Sequence, residues 1–323
     1  MVQLALAGRA AKRMQEATGR AASTIANFLR AAKELSEPCV VVVDEASMVD
    51  IVTMYGLCEL LAPCVRLGLA GDLEQLMPVG PGLVLHALIR VPAVPIGELK
   101  VIKRYGGDIA TAAVSFRKGI WPSLSDNETN AIAFIECAET RTALGSSLIA
   151  ETVLDLYRLD PVNTQILSAR RNGPDGIKTI NSLCQSATTA ENKPMTVWSA
   201  QHDEMALTGF HLGDLVLCTR NMWDRVLQNG SLGTIVEIED VPRTLTKDDG
   251  PGVDHILAWV LWDDGLRRPI VEAMLNDLEL GYAITVHKAQ GSQCPRVIFP
   301  LTGHRLLDRT LIYMPSPGRK DRC

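Results

Sequence analysis

Short apolar runs bounded by Gly, Pro and acids recur along residues 1 to about 98, separated by helical stretches, and predict a parallel α/β domain. The plainest is Cys39-Val40-Val41-Val42-Val43, a β-branched run between Pro38 and the acids Asp44-Glu45. It suits a central parallel strand buried on both faces. A second apolar stretch, 65–70, ends on Gly71-Asp72. From about Gly213 the period changes from helical to alternating. Residues 215–218, 233–238 and 256–262 read as short strands separated by Asn229-Gly230 and Asp263-Asp264-Gly265 turns, and predict a small β-barrel. Residues 240–254, rich in Pro, Asp and Gly, read as a loop.

In open α/β sheets, ligands sit beyond the carboxyl ends of the parallel strands, so Asp44 and Glu45 are expected to face a ligand crevice. In a phosphoryl-transfer motor the first such carboxylate holds Mg²⁺ through water, and the second positions or deprotonates the attacking water. Asp-Glu alone also reads as a solvated pair that ends a strand. The following segment separates the two readings. Gly71-Asp72-Leu73-Glu74-Gln75-Leu76-Met77-Pro78-Val79-Gly80-Pro81-Gly82, taken with Asp44-Glu45-Ala46-Ser47-Met48, resembles motifs III and II of superfamily 1 helicases, closest to the RecD-like branch. Met77 replaces a Pro of the usual wording. The resemblance implies that Asp44 and Glu45 are catalytic, that Gly71 and Asp72 lie by the nucleotide, and that Gln75 senses the γ-phosphate and couples it to DNA.

The likeness runs along nearly the whole chain. Residues 4–29, with Gly8-Arg9-Ala10-Ala11-Lys12-Arg13-Met14, resemble motif Ia and its helix, which implies that Gly8, Arg9 and Thr24 touch the single-stranded DNA backbone. Leu99-Lys100-Val101-Ile102-Lys103-Arg104 resembles motif IV, where Arg104 would reach the γ-phosphate from the second motor domain; an exposed loop Arg is the other reading. Ile166-Leu167-Ser168-Ala169-Arg170-Arg171-Asn172-Gly173-Pro174 looks like a strand and turn of that domain, with Ser168 and Arg170 as candidate DNA contacts. Gly213-Asp214, Thr219-Arg220-Asn221 and Gln228-Asn229-Gly230-Ser231-Leu232-Gly233-Thr234 match the opening of the barrel that RecD-like helicases insert before motif V, and make Arg220 and Asn221 DNA-binding candidates. Trp259 and Trp262 can stack on bases, although this strand spacing sends at least one of them to the core. Gly281-Tyr282-Ala283-Ile284-Thr285-Val286-His287-Lys288-Ala289-Gln290-Gly291-Ser292 is similar to motif V. There Thr285, His287 and Lys288 would meet DNA, and Gly291, Ser292 and Gln293 would lie near the nucleotide.

The implied fold is α/β, with RecA-like parallel-sheet motor domains, the first of them incomplete, and a small β-barrel inserted in the second. The expected spans are 1–98 (first motor domain), 99–210 (second motor domain, first part), 211–278 (barrel) and 279–323 (second motor domain, remainder). The implied activity is an ATP-dependent DNA helicase of recombination and repair, with 5′-to-3′ travel, ATP and Mg²⁺ as cofactors and single-stranded DNA as partner.

Composition fits this reading. The chain has 323 residues, 47% hydrophobic, enough to bury two or more cores. A net charge of −5 argues against a whole-surface nucleic-acid binder but not against DNA held in a local channel. Eight cysteines without a Cys-x-x-Cys pair read as reduced thiols of a cytoplasmic protein. No apolar stretch is long enough to span a membrane, and the start lacks a signal-peptide pattern.

Several departures from the family pattern qualify the expected activity. No Gly-x-x-x-x-Gly-Lys-Ser/Thr string occurs in the chain, so the amide nest and Lys that cradle phosphates are expected from elsewhere or lost. Ala7 replaces a Thr, Ala26 stands where a His is common, and Gln293 where a Glu is usual. Leu306-Leu307-Asp308-Arg309-Thr310-Leu311-Ile312-Tyr313 resembles the entry to motif VI but continues Met314-Pro315-Ser316-Pro317-Gly318 instead of Thr-Ala-Ile-Thr-Arg. Deleting one base from ACT-GCC-ATC-ACC-CGG yields that observed string, so a frameshift after Tyr313 is expected, with 314–323 out of frame and Arg319 no true arginine finger. Three expectations follow: a damaged helicase copy, a DNA-binding remnant, or half of a split motor whose P-loop comes from another polypeptide. Helicase–nuclease subunits are further candidate partners, and a conjugative relaxase is the alternative parent.

Overall fold

In a computed structural model, residues 1–31, 33–99, 107–122, 132–137, 148–199, 203–246, 253–289 and 294–302 are described. The chain forms two compact units, one built mainly on residues 1–136 and one mainly on 137–288.

The first unit holds an all-parallel sheet of β1 (Val2–Ala5), β2 (Ala22–Thr24), β3 (Val40–Asp44) and β4 (Arg66–Leu69), in the order β2-β1-β3-β4. The connections carry α1 (Gly8–Thr18), α2 (Ile25–Ala31) and α3 (Ile51–Glu59), as crossovers between parallel strands require. The valine run becomes a central strand, as expected, but its two faces differ. Val41 and Val43 are fully buried with Leu4, Ile25 and Leu57, whereas Val42 is half-buried and Val40 is exposed. Strand residues alternate between faces, so only one face of β3 meets the main core. Asp50 starts α3 as its N-cap, its Oδ1 accepting from the Thr53 amide at 2.7 Å. Shorter helices α4 (Val84–Leu88) and α5 (Gly107–Arg117) follow.

The second unit begins with α6 (Leu148–Leu159), β5 (Thr164–Ser168) and α7 (Ile177–Thr188). Their apolar faces bury Val153, Tyr157, Ile166, Ile180 and Cys184. A hairpin of β6 (Pro194–Ser199) and β7 (Glu204–His211) follows. After it come β8 (Leu215–Cys218), β9 (Leu232–Thr246), β10 (Val253–Trp262), β11 (Arg267–Val271), β12 (Leu278–Leu280), β13 (Ala283–Thr285) and β14 (Arg296–Ile298). β13 returns to pair in parallel with β5, Ala283 opposite Ile166 and Thr285 opposite Ser168.

Strands 8 to 12 form a five-stranded antiparallel sheet in the order β11-β10-β9-β8-β12. Its core includes Val216, Ile235, Val260, Trp262 and Ile270. Among the described residues no pairing joins β11 to β12, so the element expected as a barrel is an open sheet by its hydrogen bonds. The expected loop at 240–254 is corrected in part, because β9 runs to Thr246 and β10 starts at Val253, with Val253 opposite Thr246. A bulge lies at the start of this stretch. Register passes from Arg243 opposite Ile256 to Ile238 opposite Ala258, and Pro242, which has no amide to donate, falls in the gap.

Among the described residues no helix is long and apolar enough to cross a membrane. Burial pushes the Cys184 thiol up to about 12.

Candidate nucleotide edge and nucleic-acid track

In the first unit the predicted residues converge on one edge. Ala5 lies opposite both Thr24 and Asp44, so the carboxyl ends of β1, β2 and β3 are level. Gly8 and Arg9 open α1 directly after β1, and Gly71 and Asp72 follow β4. A parallel sheet delivers such strand ends to a common crevice. Asp44 and Glu45 are half-buried there. Asp44 Oδ1 accepts from the Glu45 amide at 2.9 Å. Glu45 has left-handed backbone, φ 54° and ψ 37°, a conformation that costs a non-glycine residue about 1 kcal/mol or more. The turn is pinned from the neighbouring strand: the Ala46 amide donates to the Ala70 carbonyl at 2.8 Å, and Ala70 donates to Val43 at 2.8 Å.

The following loop is packed against this turn. Asp72 Oδ1 accepts from the Glu74 amide at 3.0 Å, and the Gln75 amide donates to the Asp72 carbonyl at 3.1 Å, which leaves the half-buried Gln75 on a tight turn. His86 Nε2 lies 3.0 Å from the Leu73 carbonyl. Glycine is required at two positions by space alone. A Cβ on Gly71 would meet the Ser47 amide nitrogen at 2.8 Å and that of Ala46 at 3.1 Å; one on Gly80 would meet Asp50 Oδ2 at 1.9 Å. Gly71→Ala is therefore expected to displace the Ala46–Ser47 turn and cost about 1–3 kcal/mol. Thermal denaturation checks this, and an unchanged melting temperature would mean that the turn yields freely.

Thr24 is buried and its hydroxyl accepts from the Asn27 amide at 3.2 Å, so it caps α2. Arg9 is half-buried in the first turn of α1. As to a metal, a carboxylate with one oxygen engaged by its own turn suits Mg²⁺, which keeps several waters and takes few protein ligands. No group of three or more metal-ligating side chains occurs among the described residues. Arg104, Gly291, Ser292 and Gln293 lie outside the described residues, as do 303–323 with the motif VI-like segment and Arg319.

In the second unit, three separate segments meet. Thr285 ends β13, and its Oγ1 accepts from the Lys288 amide at 3.4 Å, starting a short turn that exposes His287. The Gln228–Ser231 turn abuts Lys288, since a Cβ on Gly230 would lie 3.6 Å from the Lys288 carbonyl. Asn221 holds that turn, its Oδ1 accepting from the Asn229 amide at 2.9 Å. Arg220 is exposed and pairs with Asp277 at 3.5 Å. Two residues on, Glu279 joins Lys288 Nζ at 3.2 Å and the Arg171 guanidinium. Burial pushes the Glu279 carboxyl up, but the Arg171 hydrogen bond and the Lys288 charge outweigh it and hold the group below the usual range.

Two expected DNA contacts are corrected. Ser168 is fully buried and bonds the Asp175 carbonyl at 2.7 Å, and Arg170 is taken up by the buried Asp175 carboxylate at 2.6 Å. Both brace the turn after β5 from within. Trp262 is core, as the strand spacing anticipated for one of the pair, while Trp259 donates to Glu239 at 2.8 Å and lies under the Arg267 guanidinium.

A buried polar network supports the motif V-like strand. Asp214, with no exposed surface, accepts from Tyr282 Oη at 2.8 Å, Thr189 Oγ1 at 2.5 Å, Gln185 Nε2 at 2.6 Å and the His211 amide at 2.7 Å. Asn181 of α7 accepts from the Ala283 amide at 2.7 Å and donates to the Ala283 and Leu280 carbonyls at 3.0 and 2.9 Å. Sequence reading gave Asp214 only as part of the barrel's opening and passed over Asn181.

Residues 1–138 match a family model described as an AAA domain. The ATP-dependent RecD2 DNA helicase of Deinococcus radiodurans is 30% identical over 327 aligned positions, covering 98% of this chain and 41% of the relative. Over nearly its whole length this is a RecD-like chain. The RecBCD enzyme subunit RecD of Mycolicibacterium smegmatis is 29% identical, over 88% of this RecD-like chain and 49% of its own. The chain thus spans less than half the length of these two relatives. The fold is shared with solved helicase structures: Pif1 helicase from Bacteroides in complex with ADP-AlF3 and ssDNA matches with TM-score 0.57 at 14% identity, over 99% of this chain and 80% of that one.

Proposed function

We propose that this RecD-like chain is the part of an ATP-dependent DNA helicase that carries the catalytic carboxylates and a single-strand track, working in the cytoplasm in recombination and repair with 5′-to-3′ travel. The observation that carries the reading is Asp44-Glu45 at the carboxyl end of a central parallel strand, pinned by the Ala46–Ala70 bond beside the Gly71–Gln75 turn. Asp44 would hold hydrated Mg²⁺, whose chemistry there is to offset charge on the phosphates. Glu45 accepts the proton of the attacking water, and Gln75, with both donor and acceptor atoms, reads the γ-phosphate. Gly71 and Asp72, with Gly291, Ser292, Gln293 and Arg104, complete the nucleotide site. Gly8, Arg9 and Thr24 in one unit, and Arg220, Asn221, Thr285, His287 and Lys288 in the other, follow the DNA backbone, Thr24 acting through the helix it caps.

The spans 1–98, 99–210, 211–278 and 279–323 correspond in this reading to first motor domain, second motor domain, barrel-type insertion and the remainder of the second. The P-loop is supplied by further polypeptide, and helicase–nuclease subunits are the partners in view, because RecD relatives are named as RecBCD subunits. A relaxase parent is the second reading, favoured by 27% identity to the probable conjugal transfer protein TraA of Sinorhizobium fredii across 98% of this chain.

Binding of labelled single-stranded oligonucleotides to the purified chain tests the proposal. The expected result is sequence-tolerant binding that weakens with salt, with negligible ATP turnover by this chain alone. Absence of single-strand binding at low salt would overturn it.

A further inference from the structure

The second unit holds two cations on one carboxylate at the point where the candidate DNA segments meet. Arg171, on the turn after β5, and Lys288, on the turn after β13, both pair with Glu279 of β12. β5 and β13 are parallel neighbours, so their carboxyl-end turns present these cations side by side. The Arg171 side chain is half exposed and that of Glu279 about a third, so the cluster opens to solvent. Its sum is two positive charges against one negative. A carboxylate bridging a guanidinium and an ammonium fills the place that a phosphodiester oxygen pair takes between such groups.

We infer that Arg171 and Lys288 form a backbone-phosphate site for single-stranded DNA, in which Glu279 is the resident anion that the incoming phosphate displaces. Arg171 is thereby a DNA-binding residue, and Glu279 a positioning residue that keeps the two cations together and sets the threshold for binding. The inference rests on the single-strand reading proposed above. Arg170, its neighbour, takes no part, because the buried Asp175 holds it.

The test is the salt dependence of oligothymidylate binding by the full chain, for wild type, Arg171→Ala, Arg171→Lys and Glu279→Gln. Each phosphate neutralised on a single strand adds about 0.7 to the slope of log affinity against log salt. Arg171→Ala should lower the slope by about 0.7, which is roughly a 2.6-fold smaller affinity loss between about 50 and about 200 mM salt, and Arg171→Lys should restore it. Glu279→Gln should bind more tightly than wild type at every salt concentration, since the competing anion is gone. Slopes equal to wild type in Arg171→Ala, or no tightening in Glu279→Gln, overturn this inference while leaving the single-strand reading intact. A wild-type chain that binds no single strand overturns both.

Discussion

Glu45→Gln, placed in a polypeptide that includes a P-loop, is expected to lower DNA-stimulated ATP turnover by about 10²–10⁴-fold, the usual contribution of a positioned general base. Single-strand affinity should stay within about twofold of wild type, because the carboxylate lies on the β3 turn of the first unit while the larger set of DNA candidates is in the second. Gln keeps the length of Glu, and the turn is fixed through the backbone of Ala46 and Ala70, so the change removes the base and not the fold. The left-handed backbone at Glu45 adds a second arm. Glu45→Gly relieves that conformation and deletes the carboxylate, so it should be as inactive as Glu45→Gln without loss of stability. Steady-state hydrolysis with and without DNA measures the first effect and chemical denaturation the second. A Glu45→Gln protein with more than a tenth of wild-type turnover would rule out the assigned role.

Asp214→Ala should be the most damaging substitution for stability. The carboxylate is fully buried and serves Tyr282, Thr189, Gln185 and the His211 amide. Truncation leaves two buried donors, on Tyr282 and Thr189, and two half-buried ones to find other acceptors, at a cost of about 3–5 kcal/mol. Asn in its place offers one acceptor and brings an NH₂ group against existing donors, so it should rescue little. Tyr282→Phe removes a single bond to a charged group and should cost about 1.5–3 kcal/mol. Urea denaturation followed by tryptophan fluorescence reports on this unit, since Trp198, Trp223, Trp259 and Trp262 all lie in it. A denaturation midpoint for Asp214→Ala equal to that of wild type would contradict the role given to the network.

The first unit was legible from its residues because its signals are local. Four valines ending on two acids, and a Gly/Pro-rich turn after the next apolar run, fix strand, edge and loop within about forty residues of one another. What stayed hidden depends on partners distant in the chain. Tyr282 meets Asp214 across 68 positions, and Asn181 meets Ala283 across 102. A lone Asp after a Gly, or an Asn within an amphipathic helix, carries no mark of such a bond. Residues 240–246 show the converse, since they pair with β10 as part of β9 despite Asp240 and Pro242, and Pro242 falls at a bulge. Ser168 and Arg170 looked like surface polar residues, but only the fold reveals the buried Asp175 that engages both.

The Asn181 amide has one more consequence. Among the described residues β13 is an outer strand of a three-stranded sheet, and an outer strand normally leaves its peptide groups ready to template another chain. At Ala283 a helix side chain occupies both the donor and the acceptor that such an intruder would need. The sheet is thus closed to edge-to-edge aggregation there without any extra strand, by a single amide reaching from α7.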